Sequence, residues 1–162
     1  MKNKLVYLTT IMLLILIFTG CSRSAFPSPE VMKQETQGFK LPRLPKDGTA
    51  IVYVVRPEIF GTLIKFNVFL DDTQAHSEMG FTNGKEYIYF LVKPGTHTLY
   101  SDAENLAAIT FRAEEKDIIF IEQEVKTGFL YARNNLHKDY SYLEGKYRVK
   151  TLNQGTIYKT SK

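Results

Sequence analysis

From residue 49 to residue 133, turn residues cut the sequence into short runs with the period of a β-strand. No other feature restricts the fold as strongly. Ala50–Arg56 is an apolar run stopped by Pro57. Residues 64–70 put Ile64, Phe66, Val68 and Leu70 on one face and Lys65 and Asn67 on the other, the alternation of a half-buried strand. Turn chemistry recurs at Asp71-Asp72, Asn83-Gly84, Pro94-Gly95, Glu114-Glu115-Lys116 and Thr127-Gly128, with Asn-Gly the strongest of these signals. Between the turns lie 73–79, read as a polar edge strand, then 87–92, 96–101, Leu106–Ala113, 117–125 and 129–133. Strands at this spacing, about 8–12 residues, predict a mainly β fold: an antiparallel two-sheet β-sandwich of about seven to eight strands. Its expected lining is Val52, Val54, Phe66, Val68, Ile88, Phe90, Leu99, Ile109, Phe111, Ile119 and Ile121. Residues 140–152 predict a short C-terminal helix with Ser141 as N-cap and Glu144 as its capping-box partner. Gly145 weighs against that helix, and an edge strand near 147–151 is the alternative.

The same residues carry little that points to chemistry. Formal charge is 21 − 17 = +4, and loss of Lys2 and Lys4 with a cleaved leader leaves 19 − 17 = +2. That excess predicts no nucleic-acid partner. A single cysteine excludes an intrachain disulfide and a multi-cysteine zinc site. His76, His97 and His137 fall on different elements, so no metal is expected. Asp71, Asp72, Asp102 and Glu104 read as solvated turn carboxylates. Gly80-Phe81-Thr82-Asn83-Gly84-Lys85 has three residues between its glycines where a phosphate loop has four, and Glu86 follows the lysine. It reads as a hairpin turn. With no nucleophile elbow, zincin or dinucleotide motif, the expectation is a non-catalytic protein without a cofactor.

The amino terminus is more specific. Lys2 and Lys4 precede the apolar stretch 5–18, which is followed by Thr19-Gly20-Cys21. A charged start, an h-region too short to span a bilayer and a small residue before a cut are the anatomy of a signal peptide over residues 1–20. The ending resembles that of bacterial lipoprotein signals, although Phe18 stands where those usually have an aliphatic residue. The resemblance implies a diacylglyceryl thioether on Cys21, often with a further acyl group such as palmitate on its new amine. Each buried CH₂ contributes about 0.8 kcal/mol, so two or three chains hold a protein to a membrane durably. Ser22, where some lipoproteins carry an inner-membrane retention Asp, implies the outer membrane, facing the periplasm, if the source is Gram-negative. Residues 21–48 hold four of the six prolines and read as an extended tether, with Phe39, Leu41 and Leu44 as exceptions that suit an entry segment lying against the domain. Residues 49–153 form the sandwich domain and 154–162 a tail.

Surface candidates are aromatic. Tyr53, Tyr87, Tyr89, Tyr100 and Tyr131 lie opposite the expected core positions or at strand ends. Such a stripe suits a cell-wall glycan or an envelope protein partner, or else simply covers sheet edges and the tether. Arg56, ending an apolar strand beside Pro57, joins them as a candidate contact, with a neighbouring carboxylate as its expected structural partner.

Three pieces occur together: Ile51-Val52-Tyr53-Val54-Val55-Arg56-Pro57, then Asp71-Asp72 after Val68-Phe69-Leu70, then Pro94-Gly95-Thr96-His97-Thr98-Leu99. In these, residues 49–135 resemble the bacterial envelope family known only as domain of unknown function 2846, most of whose members carry lipoprotein leaders. Asp72 stands where that family tends to have Gly, and Lys116-Asp117 where it tends to have Gly-Lys. The resemblance implies a β-sandwich and assigns no catalytic residues.

Overall fold

The computed structural model describes residues 26–127 and 132–161. The leader, Cys21 and Tyr131 lie outside the described residues. The fold is mainly β: two five-stranded, mostly antiparallel sheets and two helices. The first sheet has the order β8 (Ala132–His137), β7 (Ile118–Thr127), β1 (Ala50–Arg56), β4 (Glu86–Val92), β9 (Asn153–Gln154). The second runs β10 (Thr156–Ile157), β3 (Glu78–Thr82), β2 (Phe66–Leu70), β5 (Gly95–Asp102), β6 (Leu106–Ala113). Two pairs, β1 with β7 and β4 with β9, are parallel. The count is therefore ten strands, because the carboxy-terminal residues add a two-residue strand to each sheet.

One cluster joins the inner faces. Val52 and Val54 of β1 meet Val68, Ile88, Phe90, Leu99, Phe111, Ile119 and Ile121, with Ile109 half-buried against them. Phe66 departs from the expected lining and packs with Val125 instead. The alternate residues of β1, Ile51, Tyr53 and Val55, enter a second cluster on the outer face of the first sheet. Both faces of β1 are thus covered, which is why its sequence is apolar without alternation.

The cover consists of α2 (Tyr142–Thr151) and the chain leading into β1, including Phe39 and Leu41, and α1 (Pro29–Glu35) packs against α2. Residues 29–35 are thus helical where an extended tether is expected. Ser28 caps α1 and accepts a hydrogen bond from the Val31 N–H, and Pro29 occupies its first turn. A proline there is pre-set for helix and loses no bond. Met32, Thr36 and Leu41 are buried. The capping box at Ser141 and Glu144 forms as expected. Gly145 is explained by packing: a Cβ there would lie 2.2 Å from the Phe120 ring.

Several turns differ from expectation. Residues 73–79 contain a 3-10 turn at Ala75–Ser77, and β3 lies between β2 and β10. Asn83-Gly84 and Pro94-Gly95 carry the chain from one sheet to the other. At the first of these, Lys85 takes the left-handed conformation (φ 64°).

Candidate functional site

Among the described residues, the tyrosines of the expected stripe do not share one exposed face. Tyr53 has no exposed surface, Tyr87 is buried and Tyr89 is half-buried, all in the outer cluster that α2 and the segment leading into β1 close. The Tyr53 ring stacks on Phe120 at 5.6 Å. Its hydroxyl donates to the Arg43 carbonyl (2.5 Å) and accepts from the Arg43 N–H (3.0 Å). Burial raises this phenol well above its usual range, against the pull of the Arg43 bond. Tyr100 is on β5 of the other sheet, half-buried. The residues that sequence reasoning grouped are therefore divided, and three of them fasten the amino-terminal segment.

Arg56 is wholly buried. Its guanidinium lies 3.7 Å from the centre of the Phe66 ring. It donates to the backbone carbonyls of Ile64 (2.6 Å), Gly61 (2.7 Å), Phe60 (3.4 Å) and Thr82 (3.4 Å). Five donors in a rigid fork suit several carbonyls at once, so backbone oxygen replaces the expected carboxylate. Desolvation lowers its pKa to about 10, opposed by Glu58 and Glu86.

Alongside this fork, buried polar side chains close one end of the inner cluster. The Thr82 hydroxyl donates to Gln123 Oε1 (2.5 Å), and Gln123 Nε2 donates to the Ser101 hydroxyl (2.8 Å). Asn134 Nδ2 donates to the Ser101 carbonyl (3.2 Å).

On the outer face at the same end lies a cluster of ionisable groups: Glu58, Glu122, Arg148 and Tyr140. Burial first, and then the facing Glu122 charge, pushes the Glu58 carboxyl up to about 7; Arg148 opposes this. Burial and Glu122 together raise the Tyr140 phenol far above its usual range. Arg148 packs its guanidinium 4.0 Å from the centre of the Phe26 ring, a favourable placement for a desolvated cation. Sequence reasoning missed these groups. The signal available was Glu122-Gln123-Glu124, which interrupts the apolar run of β7.

The opposite end holds Asp71 and His97. His97 Nδ1 is 3.0 and 3.1 Å from the Asp71 oxygens, and Nε2 is 2.9 Å from the Lys93 carbonyl. Both ring nitrogens face acceptors, so only a ring carrying both protons donates both bonds. Asp71 Oδ1 also accepts from the Thr98 N–H (3.2 Å). The pair borders an open pocket of about 200 Å³ lined by Leu70, Asp71, Val92, Lys93 and His97.

Among the described residues, no helix is long and apolar enough to cross a membrane. No group of three or more His, Cys, Asp or Glu among them could hold a metal ion. In comparisons with known proteins, no family model and no curated protein matches the chain.

Proposed function

We propose that this protein is a lipid-anchored, non-catalytic component of the bacterial cell envelope, whose two sheets form a β-sandwich that contacts another envelope protein. The observation that carries the reading is the leader: Lys2 and Lys4, the apolar stretch 5–18 and Thr19-Gly20-Cys21, a charged, apolar, cut-site order that directs export. Acyl chains on Cys21 would then provide the membrane attachment. The resemblance to domain of unknown function 2846 points the same way. Two of its three quoted pieces meet in the contact between Asp71 and His97. The non-catalytic part rests on burial. Glu58 and Glu122, the acids of the outer cluster, are buried. The burial of Tyr53 and Tyr87 favours this reading over a glycan-binding role.

The test is the mass of residue 21 in protein purified from membranes. A thioether-linked diacylglyceryl group and loss of residues 1–20 are expected, with Cys21→Ser moving the protein out of the membrane fraction. An unmodified thiol, or an intact leader, would overturn the anchor. Crosslinking in intact cells tests the partner: a recurrent envelope protein is expected, and none across several crosslinkers would remove that part.

A further inference from the structure

The connection between β1 and β2 has its backbone held from inside and its apolar side chains turned outward. Arg56 binds the carbonyls of Phe60, Gly61 and Ile64. The Gly84 N–H donates to the Thr62 carbonyl (3.4 Å), the Lys85 N–H to Glu58 (3.2 Å), and the Ile64 N–H to Gly61 (2.9 Å). Thr62 Oγ1 donates to the Ile59 carbonyl. Fastened this way, the loop leaves Ile59 72%, Phe60 56% and Leu63 95% exposed. Three large apolar side chains on one short loop are a patch and not scattered exposure, and such patches mark contact surfaces.

The position of the amino terminus says which surface. The Phe26 ring rests on Arg148, whose charge acts on Glu58, the residue directly before Ile59. The chain therefore reaches the domain at the end that carries the loop. Phe26 follows Cys21 by 26 − 21 = 5 residues, a span of at most about 18 Å even when fully extended. The stalk expected from sequence would have stood the domain far off a membrane; docking of residues 26–48 removes that reach.

We propose that Ile59, Phe60 and Leu63 enter the headgroup–acyl boundary of the membrane that holds Cys21, so that the domain lies with this end against the lipid. The proposal rests on acylation of Cys21. Three apolar side chains bind a bilayer weakly by themselves, but a short covalent tether keeps them at high effective concentration beside it. The carbonyls of Ile59, Phe60, Gly61, Thr62 and Ile64, already hydrogen-bonded within the protein, need no water as the loop enters lipid.

The test uses full-length acylated protein in phosphatidylethanolamine–phosphatidylglycerol vesicles. Acylated Cys21 leaves an introduced cysteine as the one free thiol for an environment-sensitive fluorophore. Two sites are compared: Leu63→Cys, and Thr96→Cys at the far end of β5. The expected result is a blue shift at Leu63→Cys, with loss of most emission when nitroxide-labelled lipid is present, and neither at Thr96→Cys. Ile59→Ser with Phe60→Ser should return the Leu63→Cys signal to that of water. Equal, water-like signals at both sites in protein whose Cys21 mass is acylated would overturn the loop's role and leave the anchor standing. A blue-shifted label that lipid nitroxides do not quench would place protein on the loop and overturn the lipid assignment. An unacylated Cys21 in the same sample would overturn both readings.

Discussion

The two ends of the domain solve one problem, holding a turn to a sheet, with opposite materials. At the Arg56 end a buried cation gathers backbone carbonyls, and what remains outside is apolar. At the Asp71 end a partly exposed carboxylate and imidazole bond to each other and to nearby backbone. A buried donor removed leaves acceptors that water cannot reach, whereas water replaces an exposed pair at little cost. The difference teaches where this fold is rigid: the end facing outward with greasy side chains is the one fixed from within.

The strongest way to break the contrast is Arg56→Met. It keeps a long apolar stem over Phe66 but strands the loop carbonyls, and it should cost about 4 kcal/mol of unfolding free energy. Urea denaturation measures it; a loss below about 1 kcal/mol would mean that the loop is not held as described. Between the two ends, Gly145→Ala should cost roughly 2 kcal/mol, because its Cβ would meet the Phe120 ring at 2.2 Å. Ordinary helix propensity predicts a gain of about 0.5–1 kcal/mol instead, so the sign alone decides.

Glu58 sharpens the comparison through pH. Below its ordinary value of 4.5 the carboxyl is protonated whether or not the chain is folded. From there to about 7 only the folded state keeps the proton, so this group's stabilisation is lost as pH rises across that window. Glu58→Gln should flatten that dependence and leave the protein more stable at mildly alkaline pH, by on the order of 1–2 kcal/mol. Parallel melting curves of both proteins against pH test it; an unchanged slope would mean that burial does not raise the Glu58 carboxyl. The smallest effect belongs to the other end. His97→Ala should cost no more than about 1 kcal/mol, and a loss matching that of Arg56→Met would erase the distinction between the ends.

How much was legible follows from how local each feature is. The strand period placed most of the inner cluster correctly, because alternation in half-buried strands reports burial directly. The Ser141–Glu144 box identified α2, since a cap is made by neighbours four residues apart at most. Tyr53, Tyr87 and Tyr89 were assigned to the right face, but whether that face was open depended on segments far away in sequence. Residues 26–48 looked like a tether from their prolines, yet Pro29 at a helix start favours order. Glu58 and Glu122 stand 64 residues apart (122 − 58) and meet only through the parallel pairing of β1 with β7.

The sequence by itself determined most of the strand segments, the Ser141–Glu144 cap of the carboxy-terminal helix and the leader's charge and apolar order. Each of these is written in residues within a turn or two of one another. Tertiary structure alone decided which turns cross between sheets, what covers Tyr53 and Tyr87, what Arg56 binds and which end of the domain Phe26 meets. Those depend on contacts between distant segments, whose free energy comes from burial that no local stretch contains.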